Sequence, residues 1–362
     1  MDTLLQNPAI KGALYIVLAI GIFSALIMIH EFGHYLTARL CGVTVHEFAL
    51  GMGPQIFSRV SKKSGIRYSV RLFLIGGYVS MDGEDGDSEN PNAFCNKNIW
   101  KRILIIVAGA GMNILLGFIA MFILTTATVA STEGALLPTN VVAEFVDGAT
   151  SNQAGESGLM EGDRIVIVDG VPVFTGYDLI YEITNSAYEP VDMVVIRNDN
   201  ICRLNDVTFP TTEENGVVFG SYDFKVYGKS PNVFNLTTYS VNRSMSTVKM
   251  VYDSLFDLLR GRYGAEAVSG PVGTTQVIGE AAQQGGATLL YLVAVITINL
   301  GVFNLLPVPA LDGGRLLFLL IELFRGKPIN RNLEGYVHFV GILILFALMA
   351  IISIKDVIGL FT

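Results

Sequence analysis

Charge is what this sequence has least of. Of its 362 residues only 15% are Asp, Glu, Lys or Arg, where a soluble domain carries about 25%. Hydrophobic residues reach 51%, and mean hydropathy is +0.51. An ordinary water-soluble globule is thereby excluded, and lipid is the expected surrounding. Lys and Arg are outnumbered by Asp and Glu, 24 to 32, and form no stripe of the kind that binds nucleic acid. Cysteine is scarce too. Cys41, Cys95 and Cys202 are odd in number, far apart and lack C-x-x-C spacing, so neither a disulfide framework nor a cysteine zinc site is supported.

What is present in quantity is apolar sequence, in four runs: Ala13–Ile29, Ile103–Val129, Ala287–Leu306 and Leu343–Ile354 with its flanks. Crossing a hydrocarbon core of ~30 Å takes about 20 helical residues. A backbone in lipid must satisfy its own polar groups, so each run is read as a helix. The third ends at Pro307 and Pro309, and the apolar stretch beyond, Leu316–Phe324, is either a half-span or a continuation of it. The first run is too long for a signal-peptide core and no small-residue cleavage site follows, so it is expected to be retained.

Basic residues set the orientation. Arg39, Arg59, Lys62, Lys63, Arg67, Arg71, Lys97, Lys101 and Arg102 lie between the first two runs, and Arg325, Lys327 and Arg331 follow the third. The segment Ser131–Gly286 holds 9 basic and 20 acidic residues, but long domains translocate largely regardless of charge. The short connections therefore place Leu40–Trp100 and Arg325–Arg331 in the cytoplasm, with the middle domain and both termini outside.

At the inner end of the first run stands His30-Glu31-Phe32-Gly33-His34. Residues four apart share a helix face, so the two imidazoles can share one zinc ion while Glu31 acts as general base on water. The spacing alone could equally mark an exposed helical face. Ionisable groups inside a membrane helix, however, are costly and point to function, and two of the four histidines are spent here. His46 and His338 are isolated and read as structural or surface groups. A catalytic zinc needs a third protein ligand, and Asp312 is the candidate. It follows Asn304-Leu305-Leu306-Pro307-Val308-Pro309-Ala310-Leu311 and precedes two glycines. The prolines break the helix, and irregular backbone at membrane depth is tolerated where it lines a cavity. Helix capping by Asp312 is the plainer alternative, but it leaves the paired prolines unexplained. Asn113 and Asn304 lie in apolar runs, where interhelical hydrogen bonding is the simplest role.

H-E-x-x-H in the first span, with N-x-x-P-x-P-x-L-D-G-G in a late one, resembles the site-2 proteases, intramembrane zinc metalloproteases of regulated intramembrane proteolysis. The likeness is closest to the bacterial branch with a single PDZ domain and covers nearly the whole chain. Gly109-Ala110-Gly111-Met112-Asn113 is similar to the family's G-x-x-x-N element, although many relatives carry proline where Ala110 stands. Ser269–Gly273 is similar to the segment before the third conserved span. Gly158–Ile165, followed by Val168-Asp169-Gly170, resembles a PDZ core.

The resemblance implies zinc held by His30, His34 and Asp312, with Glu31 catalytic and Gly109, Asn113 and Asn304 contacting the substrate backbone or the oxyanion. It also implies single-pass membrane substrates, such as anti-sigma factors or remnant signal peptides. The PDZ domain would bind a peptide end or act as a size filter.

The expected fold is an α-helical polytopic membrane protein of about four transmembrane helices, one broken by prolines. It carries a membrane-associated β-hairpin and an inserted extracytoplasmic PDZ-like α/β domain. The segments are 1–38 (first span), 39–100 (hairpin region), 101–130 (second span), 131–215 (PDZ-like domain), 216–286 (linker and amphipathic helix), 287–325 (third span) and 326–362 (fourth span). In the hairpin region the alternation from Ile66 to Leu74 is the strand signal, with Pro54–Val60 as partner and the turn at Lys62–Gly65. An edge within Arg67–Leu74 is the expected substrate strand. The PDZ-like part covers Asn140–Pro210, with strands Arg164–Val168 and Asp192–Arg197 and a helix near Tyr177–Ser186. Val241–Leu259 is amphipathic, lying on the membrane or packing on that module. The acidic run Asp82–Glu89 is a solvated loop. The competing function is a non-catalytic PDZ-containing membrane adaptor; a transporter would show repeated motifs, and there is no second copy of either.

Overall fold

The computed structural model describes residues 8–84, 86–153, 155–214, 217–261 and 268–359. Asp85 of the acidic run and Arg262 at the end of the linker lie outside them. In chain order come α1 (Pro8–Leu40), β1 (Val45–Val60), β2 (Arg67–Met81), α2 (Ile99–Ser131), β3 (Leu137–Phe145), β4 (Arg164–Val168) and β5 (Val171–Pro172). Next are α3 (Gly176–Ser186), β6 (Val191–Arg197), β7 (Asn200–Val207), β8 (Thr211–Glu214), β9 (Val217–Gly220) and β10 (Phe224–Lys229). The chain closes with α4 (Val233–Leu259), α5 (Pro271–Gln284), α6 (Gly286–Leu305), α7 (Asp312–Arg325) and α8 (Arg331–Gly359). They fall into two compact units, Met1–Ala120 with Ala265–Thr362, and Met121–Gly264.

Among the described residues, four helices are long and apolar enough to cross a membrane: Ile10–Leu40, Ile99–Ser131, Gly286–Leu305 and Asn332–Gly359. Helices apolar on every face suit a lipid surrounding, and α8 leaves Phe339, Ile344, Phe346 and Ile351 exposed. The third apolar run is not continued by the next. Leu306–Leu311 is non-helical, and α7 is a separate helix of 14 residues. Pro307 and Pro309 lack the N–H groups that would carry α6 onward. Arg102 of α2 ties α7 down by a two-point ion pair with Glu322, whose Nη1–Oε2 arm is 3.2 Å.

Between α1 and α2 the chain folds twice over. Residues 45–50 pair with 77–81, residues 55–60 pair with 67–71, and Glu47–Leu50 also face Arg67–Val70. The order across this small sheet is thus 55–60, 67–71, 47–50, 77–81. Gly51 and Gly53 make the fold-over, at φ of +83° and +86°. Within the expected edge Arg67–Leu74, residues 67–70 are flanked on both sides and so form no edge. Local alternation revealed a strand there but could not say which distant segments it pairs with. The root of the sheet is buried, with Val45, Ile66, Val79 and Met81 packed on Ala38, Ile105 and Leu319. Its far end exposes Met52, Ile56, Phe57, Leu72 and Phe73. Inside it, Glu47 accepts from Ser69 and from Arg71 Nη2 at 2.9 Å.

The helix α5 falls where the sequence suggested only linker. Pro271 occupies its first turn, where a missing N–H costs nothing. The N–H groups of Gly270 and Gly273 both donate to Asp356 Oδ2 of α8, each at 2.9 Å. A carboxylate there satisfies helix-start donors and complements the helix dipole.

In the second unit the sheet runs β10-β3-β4-β6-β7, with β5 beside β4. Ile165, Val168, Leu179, Ile183 and Val195 form its core. A capping box of Thr175 and Asp178 starts α3. Asp163, wholly buried, is met by Arg197 Nε at 2.8 Å and Nη2 at 2.7 Å, the pairing that a buried carboxylate requires. The amphipathic stretch belongs to α4, which begins earlier than its periodicity because Asn232 caps it through Asn235 N–H at 2.8 Å. This helix packs on α3: Lys249 reaches Glu182, and Ser246 donates to Asp178.

Candidate metal centre

The site is built where α1 meets α2 and the turn before α7. At 1.5 Å per residue, His30 lies about 30 Å along α1 from Ile10, the thickness of a hydrocarbon core. Small residues let the helices approach. A Cβ on Gly33 would fall 2.4 Å from Ala108 O, and one on Gly109 would fall 2.3 Å from His34 Nε2. Gly109 thus clears the space that the His34 ring fills. It is buried behind that ring.

Three potential ligand atoms converge. His30 Nε2 and His34 Nε2 are 3.2 Å apart, and Asp312 Oδ2 lies 3.0 Å from the first and 3.2 Å from the second. Both histidines are 7% exposed. His34 Nδ1 lies 2.8 Å from Ile105 O. A carbonyl only accepts, so Nδ1 carries the proton and Nε2 presents its lone pair, the arrangement that prepares a histidine for a metal. The buried Asp312 Oδ2 makes no well-formed hydrogen bond despite these short separations. Tetrahedral zinc with bonds of about 2.0–2.1 Å would separate its ligand atoms by about 3.3 Å. Two imidazoles and a carboxylate at 3.0–3.2 Å fit that ion. Capping does not explain Asp312, since Leu311 is the N-cap of α7 and no side chain caps it.

Asn113 is fully buried, and its Nδ2 is placed 3.4 Å from His30 Nδ1 while its Oδ1 has no partner. With the amide turned so that Oδ1 faces the ring, Asn113 can accept from His30 Nδ1–H, which sets His30 in the tautomer that His34 holds. Asn304 Nδ2 donates to Leu300 O of its own helix at 2.9 Å rather than to the three converging groups.

Glu31 faces the sheet. Its Oε2 accepts the Val79 N–H at 3.1 Å, and Gly77 is bare where a Cβ would come 3.6 Å from Glu31 Cγ. The sequence did not disclose this tether, because Val79 and Glu31 are 48 residues apart. His338 was likewise unmarked: its Nδ1 accepts the Ala310 N–H at 2.9 Å. His46 is largely exposed, 3.9 Å from Asp82.

Residues 18–348 match the model of peptidase family M50. A Clostridium acetobutylicum protein described as a candidate zinc metalloprotease is 35% identical over 95% of this chain and 97% of its own. The zinc metalloprotease RasP of Bacillus licheniformis is 30% identical, over 94% of this chain and 98% of its own. The regulator of sigma-W protease RasP of Bacillus subtilis is 29% identical, over 94% and 97%. Together with four membrane-length helices and a ligand set of the right chemistry, these likenesses place the chain in peptidase family M50, as a multi-pass membrane zinc metalloprotease of the site-2 type.

Proposed function

We propose that this enzyme hydrolyses peptide bonds in transmembrane segments of single-pass proteins, with His30, His34 and Asp312 as the zinc ligands and Glu31 as the general base. The observation that carries the reading is the placement of Glu31, anchored to Val79 N–H of a strand that borders the ligand cluster. Zinc, when bound, supplies Lewis acidity that polarises the scissile carbonyl and activates water. Glu31 takes the proton from that water and later delivers it to the leaving amine. Val79 N–H keeps the carboxylate aimed while it does so.

A membrane helix protects its peptide bonds with i to i−4 hydrogen bonds, so cleavage needs an extended substrate. Pairing with a strand stabilises that form, and Gly77–Met81, at the end of the strand order beside Glu31, is the strand to receive it. An apolar cleft of about 850 Å³ supports entry from lipid. It is lined by Phe23 and Ile27 of α1, Thr274 of α5 and Leu345 and Ile352 of α8, and it reaches Ala310. The short basic connections argue for an active site toward the cytoplasm and for a PDZ-like domain, residues 131–215, outside. That domain selects or filters substrates. The Bacillus subtilis relative is named for sigma-W regulation, which favours anti-sigma-factor-like substrates, with remnant signal peptides as the alternative class.

The test is cleavage of a single-pass substrate by protein reconstituted in lipid vesicles. Glu31→Gln is expected to retain zinc and lose all turnover, and retained turnover removes Glu31 from its role. With native cysteines replaced, Ser80→Cys in the Glu31→Gln background is expected to cross-link to a cysteine in the extended substrate segment. Cross-linking from Ser58→Cys alone would assign the substrate to the opposite strand instead. A non-catalytic adaptor predicts binding without cleavage in the wild type.

A further inference from the structure

Asp312 reaches the two histidines from a turn closed by Val308 N–H to Leu306 O at 2.6 Å and Leu311 N–H to Val308 O at 3.2 Å. Pro307 and Pro309 offer no N–H. Ala310, two residues before the carboxylate, sits at φ +77°, a left-handed conformation disfavoured for any residue with a Cβ. The closing bonds offset part of that cost, and a contact from outside the turn adds to their hold.

The outside contact comes from α8. His338 Nδ1 accepts the Ala310 N–H at 2.9 Å, and its ring lies 5.7 Å from that of Phe318 on α7, which fixes its direction. One turn further along α8, a Cβ on Gly341 would fall 2.5 Å from Pro309 Cβ and 2.8 Å from Pro309 O. One face of α8 therefore meets the turn twice, by an acceptor at Ala310 and by bare backbone at Pro309. Elsewhere α8 is mostly exposed apolar surface, which makes this polar residue stand out.

We propose that His338 is a positioning residue for hydrolysis: by accepting the Ala310 N–H it holds the Pro307–Asp312 turn in the conformation that carries Asp312 to His30 and His34. The inference rests on the reading of Asp312 as a zinc ligand. It makes a chemical demand that packing alone does not. An acceptor is needed two bonds from Cβ, where histidine has Nδ1 and asparagine has Oδ1. Glutamine places its oxygen one bond further out, and phenylalanine keeps the ring without the acceptor.

The experiment is zinc titration of the purified full-length protein in micelles, against a competing chelator. His338→Phe is expected to weaken zinc binding by ~10-fold or more, the loss seen when a supporting partner of a ligand is removed. His338→Asn is expected within about threefold of wild type and His338→Gln close to the phenylalanine variant. Ala310→Gly removes the Cβ penalty, so the Ala310→Gly/His338→Phe double variant should regain part of the lost affinity. Turnover should fall in kcat with KM little changed. Wild-type affinity in His338→Phe, or equal losses in the Phe and Asn variants, would overturn the proposal. A wild-type protein that binds no zinc would remove the ligand assignment itself. Should His338→Phe fail to fold, Gly341→Ala presses the same turn through Pro309. Loss of zinc affinity there supports the proposal, and unchanged affinity counts against it.

Discussion

Gly109→Ala isolates the geometry of the metal centre with a single methyl group. The added Cβ would lie 2.3 Å from His34 Nε2, 2.6 Å from Cε1 and 2.8 Å from Cδ2. Carbon contacts settle near 3.5–4.0 Å, so the ring has to retreat by about 1 Å. Retreat is opposed on its other side by the hydrogen bond from Nδ1 to Ile105 O. Zinc sites hold their ligand distances within about 0.2 Å, so the displaced nitrogen cannot stay on the metal. A zinc affinity lower by at least about tenfold, or about 1.4 kcal/mol, is expected. Turnover should fall in parallel, since a misplacement of about 1 Å can cost ~100-fold. The matched control is Gly111→Ala on the same helix, where a Cβ meets nothing within 4 Å. Helix propensity favours both substitutions by about 0.8–1.0 kcal/mol, so thermal stability should not explain the difference. Chelator competition and metal content after dialysis measure the effect. If Gly109→Ala holds zinc as Gly111→Ala does, the packing of His34 against α2 is wrong.

Asn113→Leu keeps the branched shape of the side chain but removes its oxygen, and zinc affinity is expected to fall ~10–100-fold. A raised KM with unchanged zinc would favour the substrate role instead. Burial works to raise the Glu47 carboxyl, but hydrogen bonds from Ser69, Tyr78 and Arg71 outweigh it and hold the group below its ordinary value. Its folded pKa is thus depressed, so its stabilisation is present above the unfolded value of about 4.3 and is lost as pH falls through the folded one. Glu47→Gln should accordingly lower the melting temperature at pH 7, with the gap to wild type closing on acidification. A gap that persists unchanged at low pH would refute the assignment.

The chemistry was legible wherever it is local. Two histidines four apart in an apolar run, and a carboxylate after paired prolines, need no knowledge of the tertiary fold to stand out. The four spans were legible for the same reason, since composition alone marks them. What stayed hidden depends on distant partners. Arg67–Val70 reads as a strand, yet only its two neighbours show it is no edge. Gly109 and Asn113 are four apart and share a face, a signal that names a function for that face without saying which. The face meets His34 and His30, a contact that the spacing alone does not reveal. The helix α5 has few apolar residues and begins with a proline, and its donors are met by Asp356, more than eighty positions later.

That last contact ties α8 to the start of α5. A deletion or fusion that disturbs the neighbourhood of Asp356 would strip α5 of its cap, on the helix that lines the cleft through Thr274 and Thr275. Asp356 thereby holds one wall of that cleft, and replacing it should alter the cleft before it alters the metal centre.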